Sequence, residues 1–391
     1  MKISPKIVLF ILLCFVSSIS LAQDDEFIHP ELQWYTIETK HFLIHFHDGA
    51  ERTAKVVAKI AEEIYEPITS IYGHKIDQKV SIIIKDYDDY SNGVTYFYDN
   101  RIEIWASALD FELRGVHNWL RDVVTHEFTH NVQMQVAMKF GRRVPAVYFQ
   151  WLGYEKESRP DVLYGFPNVI VSYPFAGVNV PAWFAEGVAQ FNHPDLNYDY
   201  WDTHRDMILR MQVIDNKVLS WEELTAFGKT SLGNESVYNS GFSLVEFIAK
   251  NYGVGKLEEI SKSLRSPFYL TIDQAIKKSL GIDGKELYNL WRAYLSEKYE
   301  KQIKAIGEKV EGNLIARDGF GNFYPKFSPD GEKVAYISNK ESDYFAPSAI
   351  YLYDLKNGKE NKLVSGVTSS IAWSPDGKKI FHLNERSTSV K

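Results

Sequence analysis

The sequence is poor in cysteine, in net positive charge and in low-complexity runs. Its single cysteine, Cys14, lies in an N-terminal apolar run, so disulfides are not expected to hold the remainder together. The 44 lysine and arginine residues are outnumbered by 51 aspartate and glutamate residues, and the net charge is −7. With no basic stripe, we expect no nucleic-acid partner. Stability must come from a core, for which 45% hydrophobic residues are ample.

The N-terminus has the features of a secretory signal. Two lysines precede an apolar run from Ile7 to Val16, and Ser20-Leu21-Ala22 supplies small residues before a cleavage point. The run is too short to span a bilayer as a mature helix. The pattern predicts a signal peptide over residues 1–22 and export to the periplasm or the extracellular space. A lipid anchor at Cys14 is the alternative, which Leu13 disfavours because a small residue is expected there.

A His-Glu-x-x-His pattern, His126-Glu127-Phe128-Thr129-His130, lies within a predicted helix. Histidines four residues apart lie about 40° apart around a helix and about 6 Å apart along it, so both imidazoles can reach one ion. Glu127 lies beside the first histidine, where its carboxylate can take a proton from metal-bound water. Val124, Phe128 and Val132 are predicted to face a core. The alternative is a pair of surface histidines on an ordinary helix.

A third ligand candidate follows in the run Pro181-Ala182-Trp183-Phe184-Ala185-Glu186-Gly187-Val188-Ala189-Gln190-Phe191. Pro181 suits the first turn of a helix. Glu186 is the one carboxylate in this apolar run, and a lone carboxylate is costly to bury unless it is paired or binds a metal. We therefore expect Glu186 to complete the site. An exposed glutamate on a half-buried helix is the alternative.

The two motifs together resemble the gluzincin metallopeptidases, the thermolysin-like superfamily, over roughly Trp34–Ile306. The resemblance implies an α+β fold with a small mixed sheet, an active-site helix and a mostly helical second half. It also implies that His126, His130 and Glu186 bind Zn²⁺. Glu127 would then be the base in the hydrolysis of a peptide or protein substrate.

Two departures from thermolysin accompany this resemblance. The gap between His130 and Glu186 is longer, and Gln190 stands where the ligand helix of thermolysin has an aspartate, so a ligand histidine must be oriented by other groups. The Gly-x-Met-Glu-Asn sequence of the aminopeptidase branch is absent. The sequence therefore offers no support for exopeptidase activity and leaves the choice between endo- and exopeptidase open.

Tyr238 is the expected donor to the oxyanion of the reaction. It follows Glu186 by 52 residues, in a Tyr-Asn-Ser-Gly-Phe context that resembles the tyrosine-bearing helix of some gluzincins. A neutral tyrosine can donate at neutral pH because its ordinary pKa is about 10. His193 and His204 are the alternative donors, and a tyrosine that only caps the core is the simpler interpretation.

Two further segments around the motifs have a predicted role. Val94–Tyr98 and Ile102–Ala106 flank a turn signal and are predicted to form a hairpin, whose second strand would be the sheet edge that an extended substrate pairs with. An ordinary edge strand is the alternative. Residues 139–180 are rich in aromatics without a steady period and are expected to lie over or beside the cleft. Packing against the domain is favoured there over membrane contact.

The C-terminal segment contains a repeat. Phe327-Ser328-Pro329-Asp330-Gly331 recurs 46 residues later as Trp373-Ser374-Pro375-Asp376-Gly377, each time between predicted strands. This resembles the TolB-type β-propeller. The predicted organisation is a metallopeptidase domain over residues 23–309 and a partial all-β propeller over residues 310–391, with one blade and part of the next. Ending within a blade suggests a truncated chain, and a full propeller can hold a protein partner.

Three functions are compatible with these motifs. The first is an exported zinc peptidase. The second is a binding scaffold that uses a catalytically weak peptidase-like domain and the propeller, and the third is a zinc hydrolase that acts on non-peptide bonds. Glu127 beside both histidines favours an enzyme over the scaffold, because a purely structural metal site needs no base.

Overall fold

A computed structural model of the chain describes residues 29–88, 90–109, 117–154, 167–193, 196, 203–228, 231–308, 310, 312–319, 321–342, 348–367 and 369–384. The predicted signal peptide at residues 1–22 lies outside these ranges. Among the described helices, none combines the length and the apolarity needed to cross a membrane.

The chain divides into two compact units, each built from separate stretches. The first unit comprises Met1–Leu109, Asn118–Tyr200 and Leu244–Tyr288. The second comprises Asp110–His117, Trp201–Ser243 and Asn289–Lys391. The predicted boundary near residue 309 stays a prediction.

A five-stranded mixed sheet forms the centre of the first unit. Its strands are β1 (Trp34–Glu38), β2 (Phe42–His47), β3 (Val80–Lys85), β4 (Gly93–Tyr96) and β5 (Arg101–Trp105), in the order β1-β2-β3-β5-β4. The pairs β2–β3 and β3–β5 are parallel, and the outer pairs are antiparallel. Residues with full burial alternate along the central strands, as expected for a sheet with one face on a core.

Helices α1 (Glu51–Ile71) and α2 (Trp119–Ala137) lie against this sheet. Helix α1 connects two parallel strands, β2 and β3, as a crossover must. Helix α2 begins after Asn118, whose side chain accepts a hydrogen bond from the Arg121 main-chain N–H. Val124, Phe128 and Val132 are fully buried, which confirms the predicted core face of this helix.

The hairpin of β4 and β5 is confirmed, but the predicted sheet edge was wrong. Strand β5 pairs with β3 on one side and β4 on the other, so β4 is the edge strand. The chain forms the edge strand β4 first. It then turns back into β5, which lies between β4 and the parallel neighbour β3. The hairpin sequence shows which strands pair but not which of them finds a second neighbour.

Between α2 and the next helix, α3 (Ala182–Phe191), the chain forms a two-stranded antiparallel ribbon. Its strands are β6 (Ala146–Tyr154) and β7 (Pro167–Ala176). At its base the Lys139 main-chain N–H donates to the Gly177 carbonyl at 2.8 Å, and the Gly177 N–H donates to the Pro145 carbonyl at 2.6 Å. A Cβ atom at Gly177 would lie 2.3 Å from the Pro145 oxygen, so this closure requires glycine.

This ribbon occupies the aromatic segment for which no period was found. Tyr148, Phe149 and Trp151 are 45%, 50% and 59% exposed, so close packing of these three side chains against a core is not what the structure shows. Membrane contact, the less favoured alternative for this segment, is not tested by these exposures.

The remaining helices complete the helical half that was expected. In the first unit they are α6 (Gly255–Leu264) and α7 (Ile272–Leu280), and in the second α4 (Thr203–Ile214); α5 (Ser231–Tyr252) and α8 (Gly284–Ile306) contribute residues to both. On α8, Leu287, Trp291 and Leu295 are buried at intervals of four residues, whereas Leu290 is 44% exposed.

The C-terminal part of the second unit is all β. Strands β8 (Asn322–Phe327), β9 (Lys333–Ser338), β10 (Ser348–Asp354) and β11 (Glu360–Val367) form an antiparallel sheet in the order β11-β10-β9-β8, and β12 (Ala372–Trp373) pairs with β13 (Ile380–Phe381). None of these sheets closes on itself within the described residues. The chain is thus a mixed α+β protein.

Candidate metal centre

The site lies on two helices of the first unit, α2 and α3, and on each helix buried apolar residues adjoin the polar ones in the sequence. On α2, the fully buried Phe128 lies between Glu127 and His130 in the sequence. Helix α3 begins after Pro181, whose carbonyl accepts hydrogen bonds from the N–H groups of Phe184 and Ala185. Trp183 and Phe184 are fully buried beside Glu186, so the direction of the glutamate is set by packing.

The structure brings the three predicted ligands together. The Nε2 atoms of His126 and His130 lie 3.1 Å apart, and Glu186 Oε2 lies 3.1 Å from the first and 3.3 Å from the second. The two rings are almost perpendicular, with an interplanar angle of 87°. Three donor atoms thus converge from residues 56 and 60 positions apart along the chain.

The arrangement fits a zinc ion on two observations. Donor atoms at about 2.0–2.1 Å from a tetrahedral zinc lie roughly 3.3 Å from one another, close to the spacings found here. Two imidazole nitrogens that face each other also share one carboxylate oxygen, a geometry that a common cation satisfies better than hydrogen bonds do. Two histidines and a glutamate form a donor set that zinc prefers, with a fourth position left for water or substrate.

The charges of the site support the same interpretation. Burial opposes ionisation of Glu186, yet attraction to His130 and hydrogen bonds from both histidines hold the pKa of its carboxyl far below the ordinary value. For His130, burial lowers the pKa, but the carboxylates of Glu186 and Glu127 outweigh it and raise the pKa above the ordinary value. The carboxylates therefore draw positive charge to this point. A metal ion is one form of that charge.

The second ring nitrogen of His130 is a buried atom without a partner. Among the described residues, Nδ1 of His130 has no hydrogen-bond partner. A ligand histidine ordinarily uses this nitrogen to fix its tautomer. Gln190, which stands where the ligand helix of thermolysin has an aspartate, is buried and makes other interactions. It therefore does not take the place of that aspartate at His130 Nδ1.

Glu127 follows His126 on α2 and is 6% exposed, and its carboxylate is close enough to help raise the pKa of His130. Thr95 of strand β4 places its hydroxyl 2.7 Å from Glu127 Oε2 and 2.7 Å from the Glu127 main-chain oxygen. Gly93 lies beside the same side chain, because a Cβ atom there would be 2.7 Å from Glu127 Oε1. Sequence reasoning missed both residues, and no motif marks them. Only the pairing of β4 as an edge strand against α2 brings them here.

The predicted oxyanion donor belongs to the second unit. The Tyr238 ring is half-buried and lies 5.9 Å from the Phe227 ring, nearly parallel to it. Of the two alternative donors, His193 is half-buried in the first unit and His204 is exposed in the second. The donor role of Tyr238 stays a prediction.

Residues 167–297 match the sequence profile of the Peptidase MA superfamily. The matched range contains Glu186 and Tyr238, and it begins after His126 and His130. This match supports a peptidase-like domain. It covers the helix that carries the carboxylate ligand, whereas the histidine pair is recognised by its own pattern and by the geometry of the site.

Two individual proteins are also similar to parts of the chain. The Tol-Pal system protein TolB of Alcanivorax borkumensis is 27% identical over 182 residues, which are 44% of this chain and 40% of that protein. The chain therefore spans about two fifths of the length of this curated relative. An aminopeptidase N family protein from Idiomarina loihiensis, known from a crystal structure, is 12% identical, with 86% of this chain and 66% of that chain covered at a TM-score of 0.31.

Proposed function

We propose that the chain is an exported zinc-dependent peptidase of the gluzincin type. One observation carries the proposal: three ligand atoms of His126, His130 and Glu186 converge within 4.8 Å of one another, with Glu127 beside His126 on α2. The match to the Peptidase MA superfamily supports a peptide bond as the target over other hydrolysable bonds.

When bound, zinc supplies a Lewis acid that polarises a carbonyl and makes water nucleophilic near neutral pH. Glu127 accepts the proton of the attacking water and returns it to the leaving amine. Its place against β4, with one oxygen at the Thr95 hydroxyl, keeps the carboxylate in one orientation. Tyr238 donates a hydrogen bond to the developing oxyanion, with its neutral hydroxyl as the donor.

The C-terminal β segment is proposed to begin a propeller that holds a protein partner. The two Ser-Pro-Asp-Gly turns and the similarity to TolB support this assignment. A periplasmic location follows from the signal-like N-terminus together with that relative. A binding scaffold without turnover is the second candidate function, favoured by the same similarity.

Metal analysis tests the site, and a cleavage assay on the same protein separates the peptidase from the scaffold. Protein purified without added metal is expected to hold about one zinc per chain, and His130→Ala to lose it, because two ligands bind a divalent ion poorly. His45→Gln is the matched control, since His45 lies in strand β2 and contacts Thr36 and Ser81 instead. Zinc content unchanged in His130→Ala contradicts the site. Bound zinc without cleavage of any peptide in a diverse library leaves the scaffold.

A further inference from the structure

Strand β4 approaches the proposed catalytic helix with no side chain in between at one position. A Cβ atom at Gly93 would lie 2.5 Å from Val123 Cγ2, 2.7 Å from Glu127 Oε1 and 3.0 Å from Glu127 Cγ. Real Cβ atoms do not occupy such positions, so any other residue at 93 must push either the strand or the glutamate away. Glycine at this position lets the strand backbone form one wall beside the carboxylate.

Two positions later, Thr95 completes this wall with a hydroxyl group. The Thr95 oxygen is 2.7 Å from the main-chain oxygen of Glu127 and also 2.7 Å from its carboxylate oxygen Oε2. Both partners are acceptors while the carboxylate is ionised, and a threonine has one hydroxyl proton. The hydroxyl therefore donates to one of two equidistant oxygens of the same residue.

We infer that Thr95 is a positioning residue for the base Glu127, an inference that rests on the proposed function. While Glu127 is ionised, the Thr95 hydroxyl donates to Oε2 and fixes the carboxylate. When Glu127 takes the proton of the attacking water, its other carboxylate oxygen carries that proton to the leaving amine, while Oε2 keeps the hydrogen bond from Thr95. No proton is lost or gained by Thr95, and the glutamate keeps one orientation in both states.

This role differs from that of an ordinary threonine that only bonds a helix carbonyl. Thr69 on α1 gives such a case, because its hydroxyl donates to the Tyr65 carbonyl at 2.7 Å and it is buried. A packing role requires the methyl group and volume of Thr95. A positioning role requires the hydroxyl, because only the hydroxyl can donate a hydrogen bond to the carboxylate.

The test replaces Thr95 by valine and by serine in the zinc-loaded full chain. Thr95→Val keeps the shape and removes the hydroxyl, and kcat is expected to fall by about 10–100-fold with KM changed less than about 2-fold. Thr95→Ser keeps the hydroxyl and is expected to retain most of the turnover. Thr69→Val, the matched control, is expected to leave kcat unchanged. Equal kcat for Thr95→Val and wild type overturns the inference and leaves the peptidase standing.

A double variant shows whether the effect passes through Glu127. Within Glu127→Gln, adding Thr95→Val is expected to lower the residual rate by less than about 2-fold, because the group that Thr95 positions is already gone. A loss as large as in the wild-type background means that Thr95 acts elsewhere, and the inference fails.

A crystal structure of zinc-loaded Thr95→Val decides the matter independently of turnover. The ligand atoms of His126, His130 and Glu186 are expected to stay in place, while the Glu127 carboxylate rotates away from β4 or takes several orientations. A carboxylate in its original place refutes the inference. This measurement holds even if the wild-type protein cleaves no peptide, in which case the proposed function fails by itself.

Discussion

The α2–α3 site and the two Ser-Pro-Asp-Gly turns satisfy their polar groups in opposite ways. In the first turn Ser328 Oγ donates to Asp330 Oδ1 at 2.6 Å and accepts from the Lys333 N–H at 2.9 Å. The second turn repeats these bonds at the same distances with Ser374, Asp376 and Lys379. At the site, His126 and His130 both contact Glu186 of another helix, and the Nδ1 atom of His130 has no partner among the described residues.

The polar groups of the turns are satisfied by the folded chain itself, whereas those of the site are arranged for a bound ligand. The turns close on themselves within six residues and need nothing more. The site gathers a carboxylate and two imidazoles from distant segments and leaves them facing one point, a costly arrangement unless a cation is present. A change at the site should leave the turns unaffected, and a change at the turns should leave the site unaffected.

Removal of zinc is expected to have the largest effect. A chelator should abolish peptide hydrolysis and lower the unfolding temperature of the first unit. Zinc at about 1,000 times its Kd stabilises by about 4 kcal/mol, which corresponds to roughly 10 °C in Tm for a unit of this size. Calorimetry with and without chelator measures this shift. Equal transition temperatures mean that no stabilising ion is bound at α2 and α3.

Glu127→Gln should lower kcat by at least about 100-fold and keep the zinc, since it preserves shape and removes the base. The residue is buried and is not one of the three converging ligands. Steady-state kinetics and metal content of the same preparation give both quantities. Near-normal hydrolysis in this variant excludes Glu127 as the base.

Tyr238→Phe tests the proposed oxyanion donor. Loss of one oxyanion donor is expected to lower kcat by about 10²–10³-fold with little change in KM or zinc content. Phe227→Leu is a matched control, because it changes the ring beside Tyr238 and leaves the hydroxyl. If both variants lose turnover equally, the ring packing matters and the hydroxyl does not.

Ser328→Ala should have the smallest effect, a loss of about 1 kcal/mol in the free energy of unfolding of the second unit. Ser374→Ala should cost the same, because the two turns have the same bonds. Neither should change zinc content or turnover. Denaturant titration followed in the second unit measures the loss, and clearly unequal costs show that the turns differ in their surroundings.

The parts that the sequence predicted are those with short-range causes. The spacing of His126 and His130 and the buried face of α2 follow from the helical period, and Glu186 was found because a carboxylate is out of place in an apolar run. The edge position of β4 depends on which strand gains a neighbour across the sheet, and no local pattern records that. Thr95 and Gly93 were missed for the same reason, as their importance arises only when β4 meets α2.

The ribbon was missed for a different reason. The sequences of its strands have large apolar and aromatic residues at successive positions, so the alternation that reveals a strand is absent.

The hydrogen bond between Lys139 and Gly177 makes the ribbon an insertion whose two ends meet. The path leaves the domain and returns to it at one place, because the two residues are hydrogen-bonded to each other. The distance along the sequence between His130 and Glu186 is therefore independent of the distance between them in space. Residues 140–176 can lengthen, shorten or be exchanged for another module without moving the carboxylate relative to the histidines. A short loop that joins 139 to 177 should give a smaller protein with the same three donor atoms in register.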